Sequence, residues 1–198
     1  SSGLLENDFM LGNALIGMYV NCGMIDKAQK VLKELPLQDV VSWSILIVAY
    51  AQQGEAHEAL DCFERMQNEG IYPDEVTFIC MLKACGSKQY IEKGKQIHSK
   101  ALCREFMEKN IMLGAALVDM YVKCHALAKA QQVLERLPIR DVVCWNALIS
   151  GYAQHGHCNE AWHCLKRMQR EGLSPDSVTF IAILKACGSR GAIDKGKQ

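Results

Sequence analysis

The chain has 198 residues, 49% of them apolar, with 22 basic and 22 acidic side chains and no net charge. That is the composition of a globular protein. It holds no disorder-prone tract and no apolar run near the roughly 18 residues that span a membrane, and its balanced charge argues against a strongly electrostatic nucleic-acid binder.

Along the chain, residues 1–8 read as the tail of an earlier unit, and a helical pair follows over 9–39. The next unit, 40–74, sits in the stretch DVVSWSILIVAYAQQG (39–54), where Val41, Ile45, Val48 and Ala51 are apolar along a helix broad enough to bury most of its surface. Gly54 breaks that helix. A second segment, from Glu55 to Glu69, puts Leu60, Phe63 and Met66 inward and Glu58, Glu64 and Arg65 outward, and Gly70 and Pro73 end it. Residues 75–110 form a third, locally basic unit, with Lys83, Lys88, Lys93, Lys95, Lys100, Arg104 and Lys109 against Glu75, Glu92, Glu105 and Glu108. Those cations suit phosphate contacts or a solvated helix face equally well. Units at 111–141 and 142–176 repeat the first and second, and 177–198 begins another. The stretch at 39–54 returns as DVVCWNALISGYAQHG at 141–156, an offset of 102 residues, with ten of sixteen positions identical and Ser44 replaced by Asn146.

A small residue marks the second helix of every unit: Ala28, Ala59, Gly94, Ala130, Ala161 and Gly196, spaced 31, 35, 36, 31 and 35 residues apart. Ala or Gly there lets two helices approach closely. The prolines, Pro36, Pro73, Pro138 and Pro175, all fall at unit ends, so none interrupts a helix. Of the ten cysteines, Cys22 and Cys124, Cys62 and Cys164, and Cys85 and Cys187 recur at the same offset, which suggests compact packing residues in a reducing interior rather than disulfides. One hairpin cannot bury its own apolar face, but stacked copies can, so the expected fold is all-α: a right-handed α-solenoid superhelix of helix-turn-helix repeats. With no polar capping helix at either end, the array reads as cut from a longer one, with self-association through its uncapped ends.

The pattern resembles the plant pentatricopeptide repeat family, specifically the subclass with alternating P, L and S motifs. VVCWNALISGYAQHGHCNEAWHCLKRMQREGLSPD looks like a P motif, IMLGAALVDMYVKCHALAKAQQVLERLPIRD like an S motif, and EVTFICMLKACGSKQYIEKGKQIHSKALCREFMEKN like an L motif. By this resemblance 1–8 ends an L motif, 9–39 and 111–141 are S motifs, 40–74 and 142–176 are P motifs, 75–110 is an L motif and 177–198 a partial one. Such repeats read one RNA base each with two or three side chains. The resemblance implies reading pairs Asn13/Asp39, Ser44/Asp74, Ile79/Asn110, Ala115/Asp141 and Asn146/Asp176. It also implies apolar residues flanking the base at Met10, Val41, Val76, Met112 and Val143, with Val178 and Ile181 beginning a sixth unit. Asn with Asp favours U and Ser with Asp favours G, which gives 5′-U-G-N-N-U-3′. The implied partner is single-stranded RNA, in an organelle (mitochondrion or chloroplast), with C-to-U editing or related RNA processing carried out by a longer parent.

Plainer readings stand beside these. The aspartates are also favoured N-caps, each worth about 0.5–2 kcal/mol. Asn13 and Asn146 also read as incidental polar residues, and Met10 and Met112 as core. HGHCNEAWHC (155–164) is rich in His and Cys but has no C-x-x-C pair and no shared face, so no metal is expected. The H-x-E and P-C-x-x-C deaminase signature is missing, as are a phosphate loop and a catalytic constellation, so neither enzyme activity nor a cofactor is expected. The competing function is a helical scaffold that binds editing-cofactor proteins through its L motifs, with apolar Ile79 and Ile181 in place of readers.

Overall fold

The computed structural model describes residues 2–102 and 110–188, with backbone alone for 2–9. Gly196, Arg104, Glu105, Glu108, Lys109 and residues 189–198 of the last expected unit lie outside the described residues. Among the described residues there are eleven α-helices and no strand. They are α1 (Ser2–Asn21), α2 (Ile25–Glu34), α3 (Val40–Gln52), α4 (Ala56–Asn68), α5 (Glu75–Lys88), α6 (Ile91–Leu102), α7 (Ile111–Lys123), α8 (Leu127–Arg136), α9 (Val142–Gln154), α10 (Cys158–Arg170) and α11 (Ser177–Gly188). Two compact units divide within α5, one covering residues 1–84 and the other 85–198.

In the first unit α1 packs on α2 and α3, and α3 packs on α4. Its core is built on Trp43, Leu46, Ile47, Phe63 and Met66, with Ala28 and Ala59 fully buried where the second helices close in. Phe63 meets Phe78 edge-on at 5.9 Å between ring centroids. In the second unit α6 packs on α7, α7 on α8 and α9, and α9 on α10 and α11. Ala130 and Ala161 repeat the buried small position. At Gly94 a Cβ would lie 2.5 Å from Met120 Sδ, so glycine there permits the closest of these approaches.

The turn inside each hairpin closes the same way. After α3, the Glu55 amide donates to Tyr50 O (2.9 Å) and the Gly54 amide to Ala51 O (3.2 Å), with Gly54 at φ +78°. This doubly bonded closure satisfies carbonyls that the helix end would otherwise leave open. His125 holds the equivalent place after α7 at φ +58°, with Ala126 donating to Tyr121 O (2.9 Å), so the closure tolerates a side chain. The four prolines all lie outside helices, as their spacing implies.

Three expectations need correction. The buried face of α3 is Ser42, Trp43, Leu46, Ile47, Ala49 and Tyr50, whereas Val41 is exposed and Ile45, Val48 and Ala51 are half-buried. Arg65 does not face solvent freely; its guanidinium lies 5.4 Å from the Trp43 ring centroid, a cation–π contact that Arg167 repeats over Trp145 at 5.5 Å. Cys22 is exposed, unlike Cys62, Cys85, Cys164 and Cys187, so recurrence at one offset does not make it a packing residue.

Candidate functional site

The first helices α3, α5, α7, α9 and α11 are each launched by a side chain that accepts from the helix's own first turn. The Asp39 carboxylate accepts from the Ser42 amide (2.8 Å), while Ser42 Oγ accepts from the Asp39 amide (3.0 Å), a reciprocal cap. Asp74 caps through the Thr77 amide (2.8 Å), Asp141 through Cys144 (2.8 Å), Asp176 through Thr179 (2.9 Å), and Asn110 through Leu113 (3.0 Å). The capping reading of these residues is therefore correct as far as it goes.

Three of the carboxylates are also linked to an earlier first helix: Asp39 to Asn13 in α1, and Asp74 and Asp176 to Ser44 and Asn146, the fifth residues of α3 and α9. Asn13 Nδ2 donates to both Asp39 oxygens, at 3.4 and 3.1 Å. Asn146 Nδ2 donates to Asp176 Oδ1 at 2.9 Å. Ser44 is joined to Asp74 through a third residue: Ser44 Oγ lies 2.7 Å from Thr77 Oγ1, which donates to Asp74 Oδ1 at 2.7 Å. Asn146 has a parallel link, because Thr179 Oγ1 donates to Asn146 Oδ1 at 2.5 Å. Thus Asn13, Ser44 and Asn146 belong to polar networks and are not incidental surface residues.

The remaining positions differ. Ala115 is half-buried and carries no group that could reach Asp141. Ile79 is half-buried on α5, and Asn110 caps α7; the two fall in different compact units.

Local hydrogen bonds favour the ionised form of Asp39 and Asp176. Burial would raise the Asp39 carboxyl, but the Ser42 backbone amide, the Asn13 side-chain amide and the Val41 amide together hold it below the usual range. The Thr179 backbone amide foremost, then the Asn146 side-chain amide, depress Asp176 against slight desolvation.

Beside the networks stand apolar side chains that no core claims. Met10 is 73% exposed, Val41 52%, Val76 57%, Met112 68% and Val143 60%, and Val178 and Ile181 continue the series. This corrects the core reading of Met10 and Met112. Val41, Val76, Met112 and Val143 each sit two residues after a capping position and three before a fifth-position residue, and Met10 lies three before Asn13. Sequence reasoning missed Thr77, Thr179 and Ser42. The signal that could have found them is Asp followed three residues later by Ser or Thr, a cap spacing that recurs at 39–42, 74–77 and 176–179.

The lysines of residues 75–102 are mostly exposed, and Lys95 pairs with Glu92 on its own helix at 2.8 Å. No helix among the described residues is long and apolar enough to cross a membrane.

Compared with known proteins, the chain matches the model of the PPR repeat family over residues 38–87 and 140–189 and that of the PPR repeat over 13–40. It is 40% identical over 186 residues to the pentatricopeptide repeat-containing protein CRR2, chloroplastic, of Arabidopsis thaliana, covering 93% of this chain and 28% of that protein. A second pentatricopeptide repeat-containing protein of the same plant is 39% identical over 188 residues, which is 95% of this chain and 26% of its own length. The chain spans less than two fifths of the length of such relatives, 39% in a third case. Among solved structures, the pentatricopeptide repeat protein PPR10 in complex with an 18-nt psaJ RNA element superposes with TM-score 0.73 at 17% identity, over 95% of this chain and 29% of that one. The PPR domain of Arabidopsis thaliana protein-only RNase P 1 in complex with tRNA gives TM-score 0.67 at 13% identity, over 88% of this chain and 98% of that one. The fold is accordingly an all-α solenoid of stacked helical hairpins.

Proposed function

Because the chain belongs to the pentatricopeptide repeat family, we propose that it binds single-stranded RNA with sequence selectivity, one base to a repeat. The observation that carries this reading is the combination found at Asn13, Ser44 and Asn146. Each is a fifth-position polar residue of its repeat, networked to an aspartate side chain, on a helix that leaves an apolar side chain exposed beside it. Polar groups held by neighbours rather than by solvent present fixed hydrogen-bonding directions, and the exposed Val or Met offers a surface against which a base can lie. Two of the structural relatives, PPR10 and the PPR domain of protein-only RNase P 1, are named as complexes with RNA.

Under this reading the repeats are 9–39, 40–74, 75–110, 111–141 and 142–176, in alternating S, P and L lengths, and the preferred sequence is U-G-N-N-U. Ile79/Asn110 and Ala115/Asp141 leave their bases unassigned. The longer parent would use the address for C-to-U editing or related processing of an organellar transcript; one relative carries the word chloroplastic in its name. Binding of U-G-N-N-U RNA against a scrambled oligomer at fixed salt tests the proposal. Ser44→Asn moves preference at the second base from G towards U; an unchanged second-base preference refutes the reading.

A helical scaffold that binds editing cofactors is the second reading. It is favoured by Ile79 and Ile181, apolar where a polar reader is expected. Retained RNA affinity in Asn146→Ala with Asp176→Ala, together with loss of a protein complex in Ile79→Asp, would select it.

A further inference from the structure

Asn146 and Ser44 stand at corresponding places, yet their hydrogen-bond networks have opposite polarity. An ionised carboxylate can only accept. At Asp176 the carboxylate therefore requires the Asn146 Nδ2 edge, at 2.9 Å, and turns Oδ1 the other way. Oδ1 then meets Thr179 Oγ1 at 2.5 Å, a separation that two oxygens keep only with a proton between them. That proton comes from the threonine, because the carbonyl has none. Asp176 Oδ1 lies 2.9 Å from the same hydroxyl, but it already accepts from the Asn146 and Thr179 N–H groups, so the single proton goes to the shorter contact. Thr179 Oγ1 in turn accepts from the Asp176 amide at 3.1 Å, and Thr179 is fully buried, so the hydroxyl cannot swing to solvent. Asn146 has committed one carbonyl lone pair to Thr179 and one of its two N–H groups to Asp176, so the second N–H is the donor it has left to offer.

At Ser44 the proton order runs the other way. Thr77, also fully buried, gives its one hydroxyl proton to Asp74 Oδ1 at 2.7 Å. The 2.7 Å contact between Ser44 Oγ and Thr77 Oγ1 is then filled by the serine's proton, which the asparagine carbonyl at the corresponding place could not supply. Ser44 is left with lone pairs only.

We infer that Thr77 and Thr179, in the first turns of α5 and α11, set the hydrogen-bond polarity of the reading side chains on α3 and α9, making Ser44 an acceptor and Asn146 a donor towards the bound base. This rests on the RNA-reading proposal and deepens it. An acceptor suits the N1–H and N2–H edge of G, and a donor suits the carbonyl oxygens of U. The assignment of G to one repeat and U to the other thereby acquires a physical cause one hydrogen bond behind the readers. The first repeat supplies the contrast. Ser42 gives its hydroxyl proton to Asp39 O at 2.9 Å, and Asn13 Oδ1 is buried with no partner among the described residues. Asn13 lacks the clamp, so its base is the least sharply chosen of the three.

The test uses the whole chain and RNA oligomers carrying U-G-N-N-U, with the second or the fifth base exchanged between U and G, titrated by fluorescence anisotropy at fixed salt. Thr179→Val keeps the side-chain volume and deletes the proton; it narrows the U-over-G ratio at the fifth base by about fivefold, the size of one net hydrogen bond. The second-base ratio stays as it was. Thr77→Val narrows the G-over-U ratio at the second base in the same way, and Thr179→Ser restores the fifth-base ratio. Far-UV circular dichroism at the assay temperature checks that each variant is folded, and Thr179→Ala, which also lacks the hydroxyl, carries the test should the valine variant unfold. Ser44→Asn separates the two levels. If it shifts the second base while the variants without the hydroxyl leave their ratios unchanged, the polarity inference is overturned and the reading survives. If Ser44→Asn shifts nothing either, both fall.

Discussion

A methyl group at Gly151 tests the close approach between first helices. Gly151 lies within α9, and a Cβ built there falls 2.6 and 2.8 Å from the two γ-carbons of Val122 on α7 and 3.2 Å from Leu127 Cδ2 on α8. Ordinary carbon contacts begin near 3.5 Å, so roughly an ångström must be found. Val122 cannot supply it. A helical valine keeps one side-chain rotamer in about nine cases of ten, and turning it only exchanges one methyl for the other. The helix must therefore draw back. Gly151→Ala gains about 1 kcal/mol of helix propensity and loses about 1–3 kcal/mol to overpacking. With a stiff partner the upper part of that range applies, for a net loss of about 1–2 kcal/mol. For a chain of this length that lowers the melting midpoint by about 2–8 °C, read by far-UV circular dichroism. A midpoint equal to or above that of the parent would refute the argument from close approach.

Gly17→Ala is the opposite case: a helical glycine with nothing within 4 Å of the added carbon, so the variant should gain about 0.5–1 kcal/mol in urea unfolding. Among the described cysteines, thiol labelling at neutral pH should modify exposed Cys22 first. Cys85, Cys144 and Cys164 lag far behind, because burial pushes each thiol up to about 12 and leaves almost no thiolate. Asp39 lies below its unfolded-state value in the folded chain, so its contribution is in full force above about pH 4 and is lost as pH falls through the lower folded value. Asp39→Asn should therefore reduce the difference between urea midpoints measured at neutral and at strongly acid pH. Val41→Ser and Met112→Ser, at exposed positions, should change stability by less than about 0.5 kcal/mol while weakening RNA binding; a large loss of stability would return those side chains to the core.

The succession of helical hairpins, the small residue in each described second helix and the capping aspartates were legible because each follows from one local requirement: a period, a close approach, an open amide. What the sequence concealed depends on more than one element. The buried face of α3 could not be told from its outer face, since Val41, Trp43, Ile45 and Ile47 are all apolar and only contact with α1 and α4 distinguishes them. Cys22 matched Cys124 in register but not in burial. The role of Thr77 and Thr179 was hidden for a different reason: read alone, each satisfies its own helix start, and its second bond goes to a residue 33 positions earlier.

On the proposed reading, Asp39, Asp74 and Asp176 each serve two masters, the helix start and the side chain that meets RNA. Re-addressing such a protein by changing the aspartate would unsettle the scaffold as it altered the message, whereas exchanging Asn for Ser at the fifth position leaves the scaffold's anchor in place. Stability and vocabulary are thus separable at one end of the pair and fused at the other, which tells a designer where to write.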